Sequence, residues 1–108
     1  GRVAASQDPF RAIADPHRRQ MLDAMLERGE CSVGELTDLL GISQPAVSQH
    51  LQVLKLAGLV DERPDGRRRL YRAQARELES VAAWVARYEA FWRRRLGALE
   101  AHLARRRQ

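Results

Sequence analysis

The sequence predicts a mainly α-helical protein with one small β-hairpin, and three observations carry that prediction. Apolar residues recur at helical spacing along most of the chain, and Ser, Asp and Gly stand where helices begin and end. An Asp65-Gly66 pair, the strongest short hairpin signal, separates two segments that suit β-strands. A chain of 108 residues is expected to form one domain, residues 1–108.

The N-terminal segment, residues 8–29, is predicted to form two helices. An Asp-Pro pair at positions 8–9 begins a short helix, and a second pair at 15–16 begins a longer one that ends at Gly29. Asp accepts hydrogen bonds from the first free N–H groups of a helix, and Pro fits the first turn because its missing N–H needs no partner. Phe10 is expected in the core or at a subunit contact.

Residues 32–58 are predicted to form two helices that are joined by a tight turn. Ser32 and Glu35 have the spacing of a capping box at the start of the first helix. Ser43 caps the second helix, and a glycine ends each of them, at positions 41 and 58. A short helix, a glycine-containing turn and a second helix is the pattern of a helix-turn-helix.

The second of these helices has one apolar and one polar face. Val47, Leu51 and Leu54, with Leu56 less clearly, form the apolar stripe. The polar face offers groups that can read base edges in a DNA major groove, because Gln pairs with adenine and Ser can donate or accept. Taken alone, the helix favours an ordinary solvated polar face. The polar residues are Gln44, Ser48, Gln49, Gln52 and Lys55.

Residues 59–72 are predicted to form a basic β-hairpin with Asp65-Gly66 as a two-residue turn. In that register Pro64 faces Arg67 and Arg63 faces Arg68, while two further pairs, Glu62 with Arg69 and Val60 with Tyr71, are favourable. The tip then carries three guanidinium groups, with Arg69 partly neutralised by its acidic neighbour. Such a tip suits phosphate contact or insertion into a minor groove. The alternative is a solubilising hairpin whose charges prevent edge pairing.

A helix-turn-helix followed directly by a basic hairpin is the order of a winged helix-turn-helix, which favours DNA binding over both alternatives. The cations expected to hold phosphates are Lys55, Arg63, Arg67, Arg68 and Arg69.

Residues 75–105 are predicted to form one long helix of about 45 Å. That length exceeds the width of a domain of this size, so part of the helix is expected to project and to pair with the same helix of a second subunit. Such a homodimer would place two reading helices about 34 Å apart on a pseudo-palindromic site. The alternative is that the aromatic residues cap the core of a monomer. The expected dimer contacts are Phe10, Trp84, Tyr88, Phe91, Trp92, Leu96 and Leu99.

Composition limits the class of protein. The net charge is +5 and the pI is about 10.6, with −1 over residues 1–58 and +6 over residues 59–108. A basic balance is compatible with nucleic-acid binding but says nothing of sequence preference. The chain shows no run of about 18 apolar residues and no signal-peptide pattern, so a cytoplasmic protein with no membrane partner is expected.

Three stretches of the chain resemble the ArsR/SmtB family of bacterial transcriptional repressors. They are Asp15-Pro-His-Arg-Arg-Gln-Met-Leu22, the segment from Ser43 to Val60, and the hairpin Gly66-Arg-Arg-Arg-Leu-Tyr71. The resemblance spans residues 8–105 and implies a homodimer through the first and last helices, with operator binding that an inducer relieves. The last helix is similar to that of self-regulating repressors of the SdpR type. By motif position, the resemblance implies DNA contacts from Ser43, Gln44, Pro45, Ser48, Gln49 and His50.

The chain departs from the family's metal sensors. Those proteins carry a Cys-x-Cys pair before the recognition helix, where this chain has Ser32 and Gly34 with Cys31 nearby. Their second site lies on the last helix, where this chain offers His102 with Glu100. A stable transition-metal site needs three or four well-placed ligands. His17, His50 and His102 are scattered along the sequence, so no metal and no cofactor is expected, although a composite site across a dimer remains an alternative.

The sequence offers three alternatives to a simple dimeric repressor, namely a redox sensor, an enzyme and a protein-interaction module. Cys31 could act as a redox sensor, but without a second Cys a spectator thiol is favoured. The sequence contains no phosphate-binding loop, nucleophile elbow or paired His and carboxylate spacing, so no enzyme is expected. A winged helix used for protein contact is the main alternative to a dimeric repressor, and such modules usually lose the basic wing.

Overall fold

The computed structural model describes residues 8–107. Its contacts divide the chain into two compact units, Gly1–Leu78 and Glu79–Gln108, where one domain is expected from the sequence. The second unit contains nearly all of the last helix, α5, which runs Leu78–Arg107. The first unit contains α1 Pro9–Ala12, α2 Pro16–Arg28, β1 Cys31–Ser32, α3 Val33–Leu40, α4 Gln44–Leu56, β2 Val60–Asp65 and β3 Arg68–Ala73.

The helices of the first unit begin where capping residues predict. Asp15 caps α2, and its Oδ1 accepts hydrogen bonds from the backbone N–H groups of His17 at 2.8 Å and Arg18 at 3.4 Å. Ser32 and Glu35 form the predicted capping box, with reciprocal bonds of 3.1 and 3.2 Å. Ser43 Oγ accepts from the backbone of the third residue of α4 at 3.3 Å. Each cap is worth about 1 kcal/mol, because it satisfies an N–H that the helix leaves free.

Two arginines of α2 fix the corner between α1 and α2. Arg18 donates from Nε to the carbonyl oxygen of Ala12 at 2.6 Å and from Nη2 to that of Arg11 at 3.3 Å. Arg19 donates from Nη1 to the carbonyl oxygens of Ile13 at 2.7 Å and of the next residue at 3.1 Å. The carbonyl oxygen of Arg11 also accepts from the backbone N–H of Ala14 at 3.2 Å. These carbonyls lie at the end of α1 and in the turn after it, where regular helical hydrogen bonds stop, so the two guanidinium groups supply donors there. The position of the Arg18 side chain is thereby set.

The core of the first unit forms around the apolar stripe of α4. Val47, Leu51 and Leu54 are 0%, 2% and 0% exposed, as the sequence predicts, and they lie in one cluster with Met21 and Leu36. Burying each such side chain contributes roughly 1.5–3 kcal/mol, so the stripe fixes the rotation of α4 about its axis. Leu56 is 45% exposed and lies outside the stripe. The opposite face of α4 is therefore held toward solvent.

The turn between α3 and α4 depends on Gly41. Its φ of 68° is in the left-handed region, and its N–H donates to the carbonyl oxygen of Thr37 at 3.0 Å. A residue with a Cβ adopts this conformation at a cost, whereas glycine does not. The turn leaves only Ile42 and the Ser43 cap before α4 begins, which confirms the predicted helix-turn-helix.

The hairpin has a different register from the predicted one. Asp65 pairs with Arg68, Glu62 with Tyr71 and Val60 with Ala73, so the two-residue turn is Gly66-Arg67 and the predicted pairs are wrong. The reason lies in the backbone, because an Asp65-Gly66 turn of the usual type requires positive φ at both residues. Among residues 8–107 only glycines have positive φ, and Gly66, at 63°, occupies the first turn position.

A third strand that the sequence did not predict completes the sheet. Cys31 pairs with Tyr71 and Ser32 with Leu70, and the strand order is β1-β3-β2. Two residues are too few to show the alternation that marks a strand in a sequence. The extra strand ties the base of the wing, residues 59–72, to the start of α3.

The second unit is a single helix with no buried residue. Its 30 residues correspond to about 45 Å, and it begins and ends slightly later than the predicted range of 75–105. Contacts along the helix include the Trp84 and Tyr88 rings, 4.8 Å apart, and the guanidinium of Arg95, 4.9 Å from the ring centre of Phe91. Within residues 8–107 no helix combines the length and the apolar content that crossing a bilayer requires.

Candidate nucleic-acid interface

The N-terminal half of α4 presents a polar surface that we call the reading face. It consists of Gln44, Pro45, Ser48 and Gln49, all of which are exposed. The buried stripe on the other side of α4 holds this face outward, and Ser43 caps the helix directly before it. The positive end of the helix dipole lies at the same place and favours nearby phosphate. The arrangement can therefore combine base contacts with backbone contacts.

His50 does not belong to the reading face, although the family resemblance implies a DNA contact for it. Its side chain is half-buried and lies against α2, with Nδ1 3.3 Å from Nη1 of Arg18. The His50 ring centre is 5.6 Å from that of His17. A position one residue after Gln49 turns about 100° around the helix, which carries His50 from the exposed to the covered side.

Lys55 is held by the wing. Its Nζ contacts the carboxylate of Glu62 in β2, and Nη1 of Arg69 lies 3.7 Å from the same carboxylate. The hydrogen bond from Lys55 and one from Tyr71 lower the pKa of Glu62, so the carboxylate stays charged. The predicted partial neutralisation of Arg69 by Glu62 is confirmed, despite the different register. Both cations enter any DNA complex only by sharing or leaving this carboxylate.

Arg63 is also engaged within the protein. It donates from Nε and Nη2 to the two carboxylate oxygens of Glu30, at 2.6 and 3.0 Å. This bidentate contact lowers the pKa of Glu30 and raises that of Arg63. Arg63 therefore fixes the base of the wing to the segment before β1, although its place in the sequence predicted a cation at the tip.

The tip of the hairpin carries Arg67 and Arg68. Arg68 pairs with Asp65 at 3.1 Å and approaches Glu35 of α3 at 3.9 Å. Arg67 occupies the second turn position, is exposed, and has no ion-pair partner within 4.0 Å among residues 8–107. Of the five cations expected to hold phosphate, Arg67 is thus the one whose charge is least compensated by the protein.

Three groups that are distant in sequence meet between α2 and α4. Ligand atoms of Asp15, His17 and His50 all lie within 4.8 Å of one another, and each side chain is half-buried. His17 and His50 are scattered along the sequence, but the packing of α2 on α4 brings them together, which the spacing did not predict. Burial lowers the pKa of His50, Asp15 opposes that effect, and Arg18 and His17 add to it. Burial raises the pKa of Asp15, but the backbone hydrogen bonds from His17 and Arg18 outweigh it and leave the value lowered.

Cys31 lies in the core and is 0% exposed. Burial raises the pKa of its thiol, and the carboxylate of Glu35 adds to that effect. A buried neutral thiol reacts slowly with oxidants. These properties agree with the spectator role that the sequence favours.

The helix-turn-helix and the start of the wing match a known protein family. The family model described as "Bacterial regulatory protein, arsR family" matches residues 15–62. The HTH-type transcriptional regulator Rv2034 of Mycobacterium tuberculosis is 45% identical over 87 residues, which cover 81% of this chain and 78% of that protein. The chain belongs to the ArsR family. The resemblance inferred from the sequence motifs is confirmed.

The chain is also similar to a curated repressor and to a solved structure of the same family. The transcriptional repressor SdpR of Bacillus subtilis is 32% identical, over 73% of this chain and 87% of that protein. A solved ArsR-like transcriptional regulator from Rhodococcus sp. RHA1 superposes with a TM-score of 0.66 at 35% identity, covering 84% of this chain and 83% of the other. The chain is thus a DNA-binding transcriptional regulator with the winged-helix fold of its family.

The long-range partners of the site cannot be read from the spacing of residues in the sequence. Glu30 and Arg63 are separated by 33 residues, and Arg18 and His50 by 32. Local spacing carries no signal for such contacts. The family motif that begins at Asp15 was the one signal in this part of the sequence, and it did not indicate a partner. Asp15 comes to lie beside His50 only because α2 packs on α4.

Proposed function

We propose that this ArsR-family protein is a homodimeric repressor that binds a pseudo-palindromic operator in the cytoplasm and blocks the promoter. The observation that carries the proposal is the reading face. Its Gln44, Ser48 and Gln49 side chains are exposed at the N-terminal end of α4, while the buried stripe fixes the helix from behind. A recognition helix contacts bases from this end.

The reading face suits direct readout of a major groove. Gln can donate to N7 and accept from N6 of the same adenine, and each such bidentate contact discriminates by about 1–3 kcal/mol. Gln44 and Gln49 are the candidates for that contact, and Ser48 lies between them along the helix. Pro45 lacks a backbone N–H and offers an apolar surface instead. We assign sequence preference to these side chains.

The wing supplies affinity without sequence preference. Arg67 is the strongest candidate for a phosphate contact, because no nearby carboxylate within residues 8–107 compensates its charge. Arg68, Arg69 and Lys55 lie beside carboxylates, and a DNA phosphate would compete with those carboxylates for them. Each phosphate neutralised releases a counterion, so affinity falls steeply with salt.

In this proposal α5 forms the contact with the second subunit. Six apolar residues that recur every three or four positions form a stripe on one face of the helix, and each is between 45% and 60% exposed. An apolar surface of this kind on a soluble protein marks an interaction site, and a second copy of the same helix matches its length and its chemistry. Phe10 of α1, 37% exposed, is the expected additional contact. The stripe residues are Val85, Tyr88, Trp92, Leu96, Leu99 and Leu103.

A two-fold axis through the α5 pair accounts for the predicted operator. It relates the two reading faces, so each half-site presents the same bases about one DNA turn apart, near 34 Å. The relative that is named a transcriptional repressor supports repression as the outcome. The resemblance to the SdpR type supports a site in the protein's own promoter, and an inducer that releases the DNA would complete the regulation.

Selection of genomic fragments tests this proposal. The purified protein is mixed with sheared genomic DNA from the source organism, bound fragments are sequenced, and the strongest is footprinted. We expect a protected region with two symmetric halves one helical turn apart, and enrichment of the protein's own promoter if it is self-regulating. Fragments without a shared site, or protection of one half only, would contradict a dimeric operator-binding repressor.

A further inference from the structure

The junction between α2 and α4 holds three groups that can ligate a metal ion. Asp15 caps α2, His17 stands in its first turn, and His50 approaches from the middle of α4. Their ligand atoms all lie within 4.8 Å of one another, and all three side chains are half-buried rather than fully solvated. The expectation from sequence that no metal binds rested on these histidines being far apart.

We propose that Asp15, His17 and His50 form a binding site for a divalent transition-metal ion such as Zn²⁺. Two imidazoles and one carboxylate are ligands that this class of ion prefers, and a water molecule would complete four-fold coordination. The site shares no position with the cysteine pair or the last-helix residues of the family's metal sensors. It lies wholly within the first unit of the chain.

The geometry requires only small side-chain movements. Ligands at about 2.1 Å in a tetrahedral site are about 3.4 Å apart, so the present separations must shorten by an ångström or so. His17 stands in the first turn of α2 with its side chain 44% exposed, which leaves room for a change of rotamer. The Asp15 carboxylate has four lone-pair positions, of which the backbone bonds from His17 and Arg18 take two. The α2 cap can therefore stay intact when the ion binds.

Arg18 and a metal ion would exclude each other at His50. A guanidinium group only donates, so the contact from Arg18 Nη1 makes His50 Nδ1 the acceptor. A metal on Nδ1 takes the same lone pair, and a metal on Nε2 moves the ring proton to Nδ1, which can then no longer accept. In both cases the Arg18 contact breaks. The positive charge of Arg18 also opposes the ion, whereas the negative charge of the Asp15 carboxylate favours it.

Two consequences follow from this competition. Removing the guanidinium should strengthen metal binding, although Arg18 is not a ligand. A bound ion would also join α2 to α4, so it should stabilise the folded protein by mass action.

Cobalt titration of the full chain tests the site. Protein freed of metal by chelation is titrated with Co²⁺, and binding is followed by visible absorption and by the thermal midpoint. We expect one ion per chain, with nitrogen and oxygen ligation. Loss of a ligand costs at least as much affinity as loss of an outer-shell partner, so His17→Asn and His50→Asn should each weaken binding about tenfold or more. Arg18→Met should strengthen it, and His102→Asn, an exposed histidine on α5, is the matched control.

The titration of the variants can either support or overturn the metal site. Equal affinity in wild type and His17→Asn, a variant whose folding is checked by circular dichroism, would overturn the proposal. A thiolate charge-transfer band would also overturn it, because it would place the ion on Cys31. Tighter binding by Arg18→Met together with loss in His17→Asn supports it. None of these readouts uses DNA, so failure here leaves the proposed repressor function untouched.

Discussion

Arg63 of β2 is bound in bidentate fashion by Glu30, with Nε and Nη2 at 2.6 and 3.0 Å from the two carboxylate oxygens. Four residues further on, Arg67 at the hairpin turn has no ion pair within the described part of the chain. Two arginines that look equivalent in the sequence therefore differ before DNA binds, because Arg63 is already paired with a carboxylate and Arg67 is not. A phosphate contact by Arg63 must replace a carboxylate, whereas one by Arg67 replaces only water and counterions.

Arg67→Ala should weaken binding to every duplex more than Arg63→Ala does. Each phosphate contact that is lost reduces the steepness of log affinity against log salt by about one. A dimer loses one contact in each subunit, so the measured slope should change by about two. Arg63→Ala should leave the slope nearly unchanged. Fluorescence anisotropy at several salt concentrations measures both. An Arg63→Ala slope change as large as that of Arg67→Ala would show that the Glu30 contact opens in the complex.

Glu30→Gln should have the opposite effect. It removes the charge that holds Arg63, which frees a cation at the wing and one more phosphate contact in each subunit. We expect tighter binding to random DNA and a steeper salt dependence. Glu100→Gln, which removes one negative charge on the exposed surface of α5, is the control for net charge. Identical gains in both variants would attribute the effect to overall charge rather than to Arg63.

Gln49→Ala should relax sequence preference. A bidentate contact to a base is worth about 1–3 kcal/mol, so affinity for the operator should fall roughly fivefold to 150-fold for each half-site, while affinity for random DNA stays the same. Competition binding against single-base operator variants identifies the base that is no longer distinguished. If random DNA loses affinity by the same factor, Gln49 contacts the backbone and the reading face is misassigned.

Trp92→Arg should dissociate the proposed dimer. The substitution puts a charge in the centre of the apolar stripe of α5, where a partner helix would have to bury it. Ala101→Arg adds the same charge on the opposite side of the helix and should leave the dimer intact. Light scattering gives the mass of each variant. A dimeric Trp92→Arg variant, or two variants that behave alike, would contradict the interface.

The stability of the fold should depend on the ionisation of His50. Burial lowers its pKa, Arg18 and His17 add to that effect, and Asp15 opposes it. Between the lowered value and the ordinary 6.5 the unfolded chain therefore binds more protons than the folded one. The contribution of neutral His50 to the free energy of unfolding is therefore complete above pH 6.5. It is lost as the pH decreases from 6.5 toward the lower pKa of the folded protein.

His50→Gln should flatten this dependence. Urea denaturation between about pH 5 and pH 8 keeps the carboxylates largely charged and isolates the histidine contribution. His102→Gln is the control, because that side chain is exposed on α5. The same pH slope in wild type and His50→Gln would mean that other groups carry the effect.

The parts of this fold that could be predicted from sequence are those that local chemistry determines. Caps at Asp15, Ser32 and Ser43 and the stripe of Val47, Leu51 and Leu54 act over one or two helical turns, and all appear as predicted. The same stripe determines which residues form the reading face.

The hairpin register and the charge pairs could not be predicted in this way. Asp-Gly favours a turn that includes both residues, but the chain places Asp65 in β2, where it pairs with Arg68. The Arg63 contact with Glu30 and the cluster around His50 depend on packing between distant segments. They decide which of the predicted cations and histidines remain available, and that is a property of the tertiary structure.

Sequence-specific operator binding by a dimer can be measured in one anisotropy titration. The best selected fragment and a scrambled duplex of the same length are titrated with wild-type protein at two salt concentrations. We predict that two chains bind each operator, at least about a thousandfold more tightly than the scrambled duplex, with a steep loss of affinity at higher salt. Equal affinity for the two duplexes, or binding that salt leaves unchanged, would contradict the account.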